Sequence, residues 1–278
     1  MVDDIILEDG GVSLKSIGMV WMKSSYGLVY GPHLSRRLGW SLGIDLTPLT
    51  CTFDCIYCER GRTLHKLRCP EEFVTRVDED ELYKELHSYI EAFGGRELDS
   101  VTFSGTGEPS LDPRLGRLIN MTRDIVKGVP ITVFTNSSLL NRADVRRDLA
   151  EADRVVAKLN AASDYIFHSM HQPADSSLTT AKIVDGVKKL NDTLDKGITI
   201  EVMFIRSRAP YHNTNATLEE AVKLSRILRE IQPSMVQVHT ITRPPASPYV
   251  MGVDAGFLGR VASCFVSELG RERVRVYF

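Results

Sequence analysis

Three of the five cysteines fall within eight residues, as Cys51-Thr-Phe-Asp-Cys55-Ile-Tyr-Cys58, while Cys69 and Cys264 stand alone. A disulfide framework spreads and pairs its cysteines, so this odd, crowded set fits a reducing compartment. A C-x3-C-x2-C loop can wrap one corner of a compact cluster. A [4Fe–4S] cube normally takes four cysteines. With three, one iron keeps an open position for a small molecule, as a catalytic zinc site does. The competing reading of the same residues is a Cys3His zinc knuckle completed by His65.

Further polar residues recur at places where short β-rich runs end. Phe103-Ser-Gly105-Thr106-Gly107-Glu108-Pro109 supplies glycines that permit close backbone approach and unusual dihedrals, together with a carboxylate suited to a cationic ligand. Thr135-Asn136-Ser137-Ser138 and Lys158-Leu-Asn160 follow in the same way. Glu201 and Met203 share one face of a strand, as do Gln237 and His239. A lysine on a dry strand face is costly unless it serves a carboxylate, which singles out Lys158. His168 and His171 lack a third close ligand and do not describe a zinc site.

The elements that must position these residues alternate along the chain. Candidate strands are Trp40–Leu46, Ser100–Ser104, Ile131–Thr135, Arg154–Leu159, Thr199–Ile205 and Met235–Ile241, with nearly continuous hydrophobicity that suits strands buried on both faces. Helical stripes run through 78–93, which stops at Gly94-Gly95, and through 178–195. A third, over 217–232, opens with a Thr217/Glu220 capping box. A further helix, 254–269, precedes a last strand at Arg273–Phe278. Strand–helix alternation repeated six times predicts a parallel α/β sheet, either doubly wound and open or curled into a partial barrel. Both place their sites at the C-terminal strand ends, where the polar residues lie. Residues 1–29 read as a separate N-terminal arm or hairpin and residues 30–278 as the main body.

The 278 residues are 43% hydrophobic and 25% charged, which excludes wholesale disorder. With 34 basic and 36 acidic side chains the formal charge is −2, so no global field advertises nucleic acid or a membrane surface. No apolar run approaches the roughly 18 residues of a spanning helix, and the start, MVDDIILEDGG, does not read as a secretory signal; a cytoplasmic location is expected.

The cysteine loop and the Gly-Thr-Gly-Glu-Pro segment resemble the radical S-adenosylmethionine (SAM) superfamily. The segment Tyr30-Gly-Pro-His-Leu-Ser-Arg36-Arg37-Leu-Gly-Trp-Ser-Leu-Gly-Ile-Asp-Leu-Thr-Pro48, then Glu59-Arg-Gly-Arg62-Thr63, Thr135–Leu140 and Val236–Pro245 extend the likeness. Over roughly residues 30–245 the chain resembles the compact Fe–S oxidoreductase family related to the tRNA wybutosine-synthesis enzyme. The resemblance implies a partial (β/α)6 TIM-like barrel with a [4Fe–4S] cluster on Cys51, Cys55 and Cys58. It implies SAM on the open iron, reductive cleavage to a 5′-deoxyadenosyl radical, and hydrogen abstraction from a substrate. Tyr57 would lie against the adenine, and Gly105, Thr106, Gly107 and Glu108 would hold the amino group. Asn136, Ser137, Lys158, Asn160, Met203, Gln237, His239 and Arg243 are the remaining candidate SAM contacts. A ferredoxin- or flavodoxin-type electron donor is implied as a partner.

The wybutosine enzyme carries a second cluster on additional cysteines, which Cys69 and Cys264 cannot match, so its tRNA condensation does not transfer. The substrate stays open between RNA or nucleotide, protein side chain and small metabolite. Arg36, Arg37, Arg62 and Arg243 tilt it toward an anion, with Arg243 held by Pro244-Pro245 ahead of a 244–253 segment expected to cross the opening. The alternative is an iron–sulfur carrier, or a partner-dependent activase subunit, without independent catalysis.

Overall fold

The computed structural model describes residues 27–75, 77–93 and 98–278. Residues 1–26 of the expected arm, and the Gly94-Gly95 stop, lie outside the described residues. The described part opens with an antiparallel hairpin, β1 (Val29–Ser35) and β2 (Gly39–Ile44). The second arm of this hairpin is the first strand of the parallel series.

That series continues through β5 (Ser100–Phe103), β6 (Ile131–Thr135), β7 (Arg154–Lys158), β8 (Thr199–Ser207) and β9 (Met235–Thr240). It ends at β11 (Val274–Tyr277), and the hydrogen-bonded order is β1-β2-β5-β6-β7-β8-β9-β11. Two short strands, β3 (Thr50–Cys51) and β4 (His65–Lys66), pair separately within the cysteine loop. β10 (Val250–Gly252) runs antiparallel to β8. All four residues of β5, and all but three of the nine in β8, are buried, which is why these runs read as continuously hydrophobic.

The helices are α1 (Glu79–Phe93), α2 (Leu115–Val126), α3 (Ala143–Leu149), α4 (Asp164–His171), α5 (Thr180–Asn191), α6 (Leu218–Ile231) and α7 (Ala255–Leu269). Three of these, α2, α3 and α4, had no counterpart in the sequence reading. In α6 the Thr217 hydroxyl caps as expected, accepting from the Glu220 amide at 3.1 Å. The second half of the capping box does not form. Glu220 instead accepts from the Ala162 and Ser163 amides at 2.6 and 2.9 Å, just ahead of α4. A buried carboxylate there satisfies two donors that β7 and α4 leave free.

Side chains from both edges of the sheet, Tyr30 and His33 on β1 and Tyr277 on β11, line the same cavity as Thr102 of β5, Thr135 of β6, Met203 of β8 and His239 of β9. A flat sheet could not bring its two edges to one space. The strands curl around a common interior, as a partial barrel does. Among the described residues β1 and β11 do not pair, so the barrel is open between them.

Candidate functional site

The cysteine loop is fixed by its backbone. The Asp54 and Ile56 amides donate to the carbonyls of His171 and Met170 at the end of α4, both at 3.0 Å. Ala246 and Ser247 donate back to the Cys58 and Ile56 carbonyls at 2.9 and 3.0 Å, so the segment after β9 clasps the loop; none of residues 244–253 lines the cavity. Beneath it, Phe53 packs edge-on to Phe167 and His171, and Tyr57 packs edge-on to His171 with ring centroids 5.4 Å apart. Burial holds the His171 imidazole neutral, with its pKa lowered to about 4.

Glu108 ties this loop to the neighbouring strands. Its amide donates to the Thr50 carbonyl at 3.0 Å. Oε1 accepts from the Ser110 amide, the Ser110 hydroxyl at 2.6 Å and the Thr135 hydroxyl at 2.8 Å. Oε2 accepts only from the Asn136 amide, at 2.7 Å, which leaves acceptor capacity on the oxygen of a residue that faces the cavity. Burial raises the Glu108 pKa against these donors. The two glycines before it serve close packing: a Cβ at Gly105 would overlap the Asp45 carboxylate, and one at Gly107 the carbonyls of Thr47 and Thr50. Neither has a positive φ, so the expected unusual dihedrals are not the reason for them.

Across the cavity the chemistry changes. Register places Lys158 of β7 opposite Glu201 of β8, and Glu201 opposite Gln237 of β9. Glu201 is 2% exposed and forms an ion pair with Arg37, which reaches in from the β1–β2 turn. Lys158 Nζ lies 3.5 Å and His239 Nε2 3.2 Å from Glu201 Oε1. Burial opposes the Glu201 charge, yet Arg37, Lys158 and His239 together hold its pKa well below the usual carboxylate range. Burial likewise opposes the Lys158 ammonium, but Glu201, Cys55 and Cys58 carry its pKa upward. The Arg37 guanidinium also stacks over Phe134, 5.1 Å from the ring centroid.

Cys51, Cys55, Cys58, Tyr57, Gly105, Thr106, Gly107, Glu108, Asn136, Lys158, Met203, His239 and Arg243 all line this one cavity of about 320 Å3. Three expected residues do not. Ser137, with φ of 72°, turns its hydroxyl to the Lys158 carbonyl at 2.8 Å and pins β6 to β7. Asn160 donates to the Tyr57 hydroxyl and accepts from the Met203 amide, both at 2.8 Å, so it supports the wall from behind. Gln237 is reached by Arg37 at 3.4 Å, outside the wall. Of the weighed arginines, Arg62 is paired with Asp54 and lies off the cavity, whereas Arg36, Arg37 and Arg243 line it. Sequence reading missed Tyr30, His33, Arg60 and Tyr277, whose signal is only that they sit on edge strands or beside the cysteines.

The donor set fits an iron–sulfur cluster. Burial first, then the Glu108 charge, pushes the Cys51 thiol up to about 12, and burial likewise raises Cys55, so these sulfurs ionise only against a cation. Asn136 Nδ2 stands 3.4 Å from Cys51 Sγ, a donor of the kind that steadies a ligating thiolate. Among the described residues no three His, Cys, Asp or Glu side chains converge on one ion, as the zinc knuckle requires. His65 sits on β4, its amide bonded to the Leu49 carbonyl at 3.0 Å. Cys69 lines a separate cleft with Thr52 and Arg142, and Cys264 lies on α7. Among the described residues no helix is long and apolar enough to cross a membrane.

Residues 47–209, more than half of the chain, match the radical SAM superfamily. UPF0026 protein MJ1312 of Methanocaldococcus jannaschii is 30% identical over 250 residues, covering 90% of this chain and 74% of that protein. Among solved structures, Streptococcus suis SuiB bound to precursor peptide SuiA is similar with a TM-score of 0.60 at 12% identity. That match covers 100% of this chain and 57% of SuiB, so the chain spans little more than half of that neighbour. Archaeal TYW1 is similar with a TM-score of 0.50 at 14% identity, over 89% of this chain and 76% of that one. At these identities the two structures speak for the fold.

Proposed function

The chain belongs to the radical SAM superfamily, an enzyme class that uses a [4Fe–4S] cluster and SAM, and from that premise we propose how its own residues divide the work. Cys51, Cys55 and Cys58 hold the cluster, and the free capacity of Glu108 Oε2 accepts from the SAM ammonium. When bound and reduced, these cofactors supply a 5′-deoxyadenosyl radical that takes a hydrogen atom from the substrate. Asn136 stays fixed between Glu108, Thr52 and Cys51, and so keeps the cluster ligand and the ammonium acceptor in register. Tyr57, held by Asn160, closes the wall beside the cysteines. The clasp of Ala246 and Ser247 over the loop limits water at that end.

One observation carries this reading: the three cysteines and the half-used carboxylate of Glu108 face a single cavity. The superfamily needs a reductant, and a ferredoxin- or flavodoxin-type donor suits a one-electron step. The test is anaerobic reconstitution with iron and sulfide, reduction with excess SAM, and chromatography for 5′-deoxyadenosine. Deoxyadenosine that vanishes in Cys58→Ala supports the proposal. A full cluster that leaves SAM intact with every reductant points to the carrier reading, and zinc in place of iron sinks both.

A further inference from the structure

The cavity's carboxylates are already answered. Glu201 has Arg37, Lys158 and His239 around it, and Glu108 has only neutral donors. Glu59 at the mouth accepts from the backbone amides of Thr242 and Arg243 at 3.1 and 3.3 Å. Three guanidiniums on the same walls have no such partner. Arg36, from the β1–β2 turn, reaches only the Thr242 hydroxyl at 3.5 Å. Arg60, two residues past Cys58, lies over the Tyr30 ring at 5.7 Å from its centroid, and its nearby acid, Asp45, is taken up by Thr106 at 2.7 and 2.9 Å. Arg243 follows β9. Among the described residues none of the three has a carboxylate within ion-pair distance.

These arginines come from three distant segments and converge on one opening. His33, on the same wall, reports the field of two of them: after burial, Arg243 and then Arg60 push its imidazole toward the neutral form. Three like charges facing one carboxylate, Glu59, that none of them pairs cost free energy in the empty cavity, and an oxyanion would recover it. Guanidinium forks match carboxylate and phosphate oxygens, but three fixed cations exceed what one carboxylate balances. We propose that Arg36, Arg60 and Arg243 form a subsite for a phosphate group carried by the substrate, at the mouth of the cavity and separate from the contacts to SAM. The inference rests on this cavity being the site of the radical chemistry.

The probe is inorganic phosphate, titrated calorimetrically into reconstituted holoenzyme already saturated with SAM, at constant ionic strength. Saturable binding is expected, weakened by at least about tenfold when all three residues become alanine and by about threefold in each single variant. Arg62→Ala, whose guanidinium is already taken by Asp54, is expected to bind as the wild type does. Iron content and circular dichroism verify that the triple variant keeps its fold, and single Arg→Gln variants carry the test if it does not. The proposal is overturned if phosphate fails to saturate, if the triple variant binds equally well, or if Arg62→Ala weakens binding as much as the others. Phosphate that binds the SAM-free holoenzyme but not the SAM-saturated one also overturns it, since the guanidiniums would then serve SAM's own carboxylate. Absence of deoxyadenosine from the wild type sinks the radical reading while leaving the phosphate titration to stand or fall by itself.

Discussion

At the cysteine end of the cavity the loop is held by backbone hydrogen bonds to α4 and to the segment after β9, while at the opposite end three basic side chains gather around one buried carboxylate. The first arrangement is tethered through main-chain groups, which do not titrate. The second is made of charges, and a change at one member leaves the others uncompensated. The difference suits the two tasks: cofactor ligands need fixed geometry, whereas a substrate face needs a field that can be matched by what enters.

The comparison breaks most completely at the cysteines. Cys58→Ala is expected to abolish cluster assembly and SAM cleavage, with iron and sulfide analysis falling to background while far-UV circular dichroism stays unchanged. The backbone contacts to Ala246 and Met170 use main-chain atoms, so the loop can keep its path without the thiol. A variant that keeps a full cluster would show that the ligand set is wrong.

At the charged end, Glu201→Gln leaves Arg37 and Lys158 without their counter-charge and is expected to cost about 3–5 kcal/mol in denaturant unfolding. The pH dependence has a definite sign. Because the folded-state pKa of Glu201 is depressed, its contribution is fully present above the unfolded carboxylate value of about 4.3 and is lost as pH falls through the folded value. Wild type should therefore lose stability below about pH 4.3 more steeply than Glu201→Gln, and parallel curves would remove the network from the account.

Beneath the cysteine loop the aromatic packing adds a buried imidazole, which titrates in a different window from Glu201. His171 is 4% exposed, with its pKa lowered to about 4, so the unfolded chain binds its proton more readily than the folded one. Stability is expected to fall by about 3 kcal/mol as pH drops from about 6.5 to about 4, a window above that of Glu201. His171→Phe should flatten this slope; an unchanged slope would assign the proton elsewhere. Gly107→Ala comes next, at about 1–3 kcal/mol by thermal unfolding, because the new Cβ presses on backbone oxygens that cannot turn aside.

How much of this could be read beforehand follows from range. Strand ends and cysteine spacing are local, so the parallel series and most cavity-lining residues were legible from Trp40 to Ile241. Helices α3 and α4, of seven and eight residues, were too short to show a stripe of their own. Glu220 illustrates the harder loss: its position three after Thr217 signals a capping box, but a donor pair 57 and 58 residues away claims the carboxylate. Arg37 and Glu201 are 164 residues apart, and only the curl of the sheet brings them together. Ser137, Asn160 and Gln237 lie on or just beyond the expected strands, yet their side chains are engaged by Lys158, by Tyr57 and Met203, and by Arg37 and do not line the cavity, which strand position alone does not show.

The smallest effect tests whether charge as such, or buried charge, separates the two ends. Arg62 and Arg37 each pair with a carboxylate at one side of the cysteine loop or the other, but the Arg62 side chain is 57% exposed against 25% for Arg37. Water screens the first pair, and holding two long side chains together offsets much of what remains. The Asp54 carboxylate also keeps its bond from the Thr63 amide at 3.1 Å when Arg62 is gone. Arg62→Ala is therefore expected to shift the denaturant midpoint by no more than about 0.5 kcal/mol, with little dependence on salt. A loss approaching that of Glu201→Gln would mean that the cysteine loop, too, is held by charge, and the division of the cavity into a backbone-built end and an ion-built end would fail.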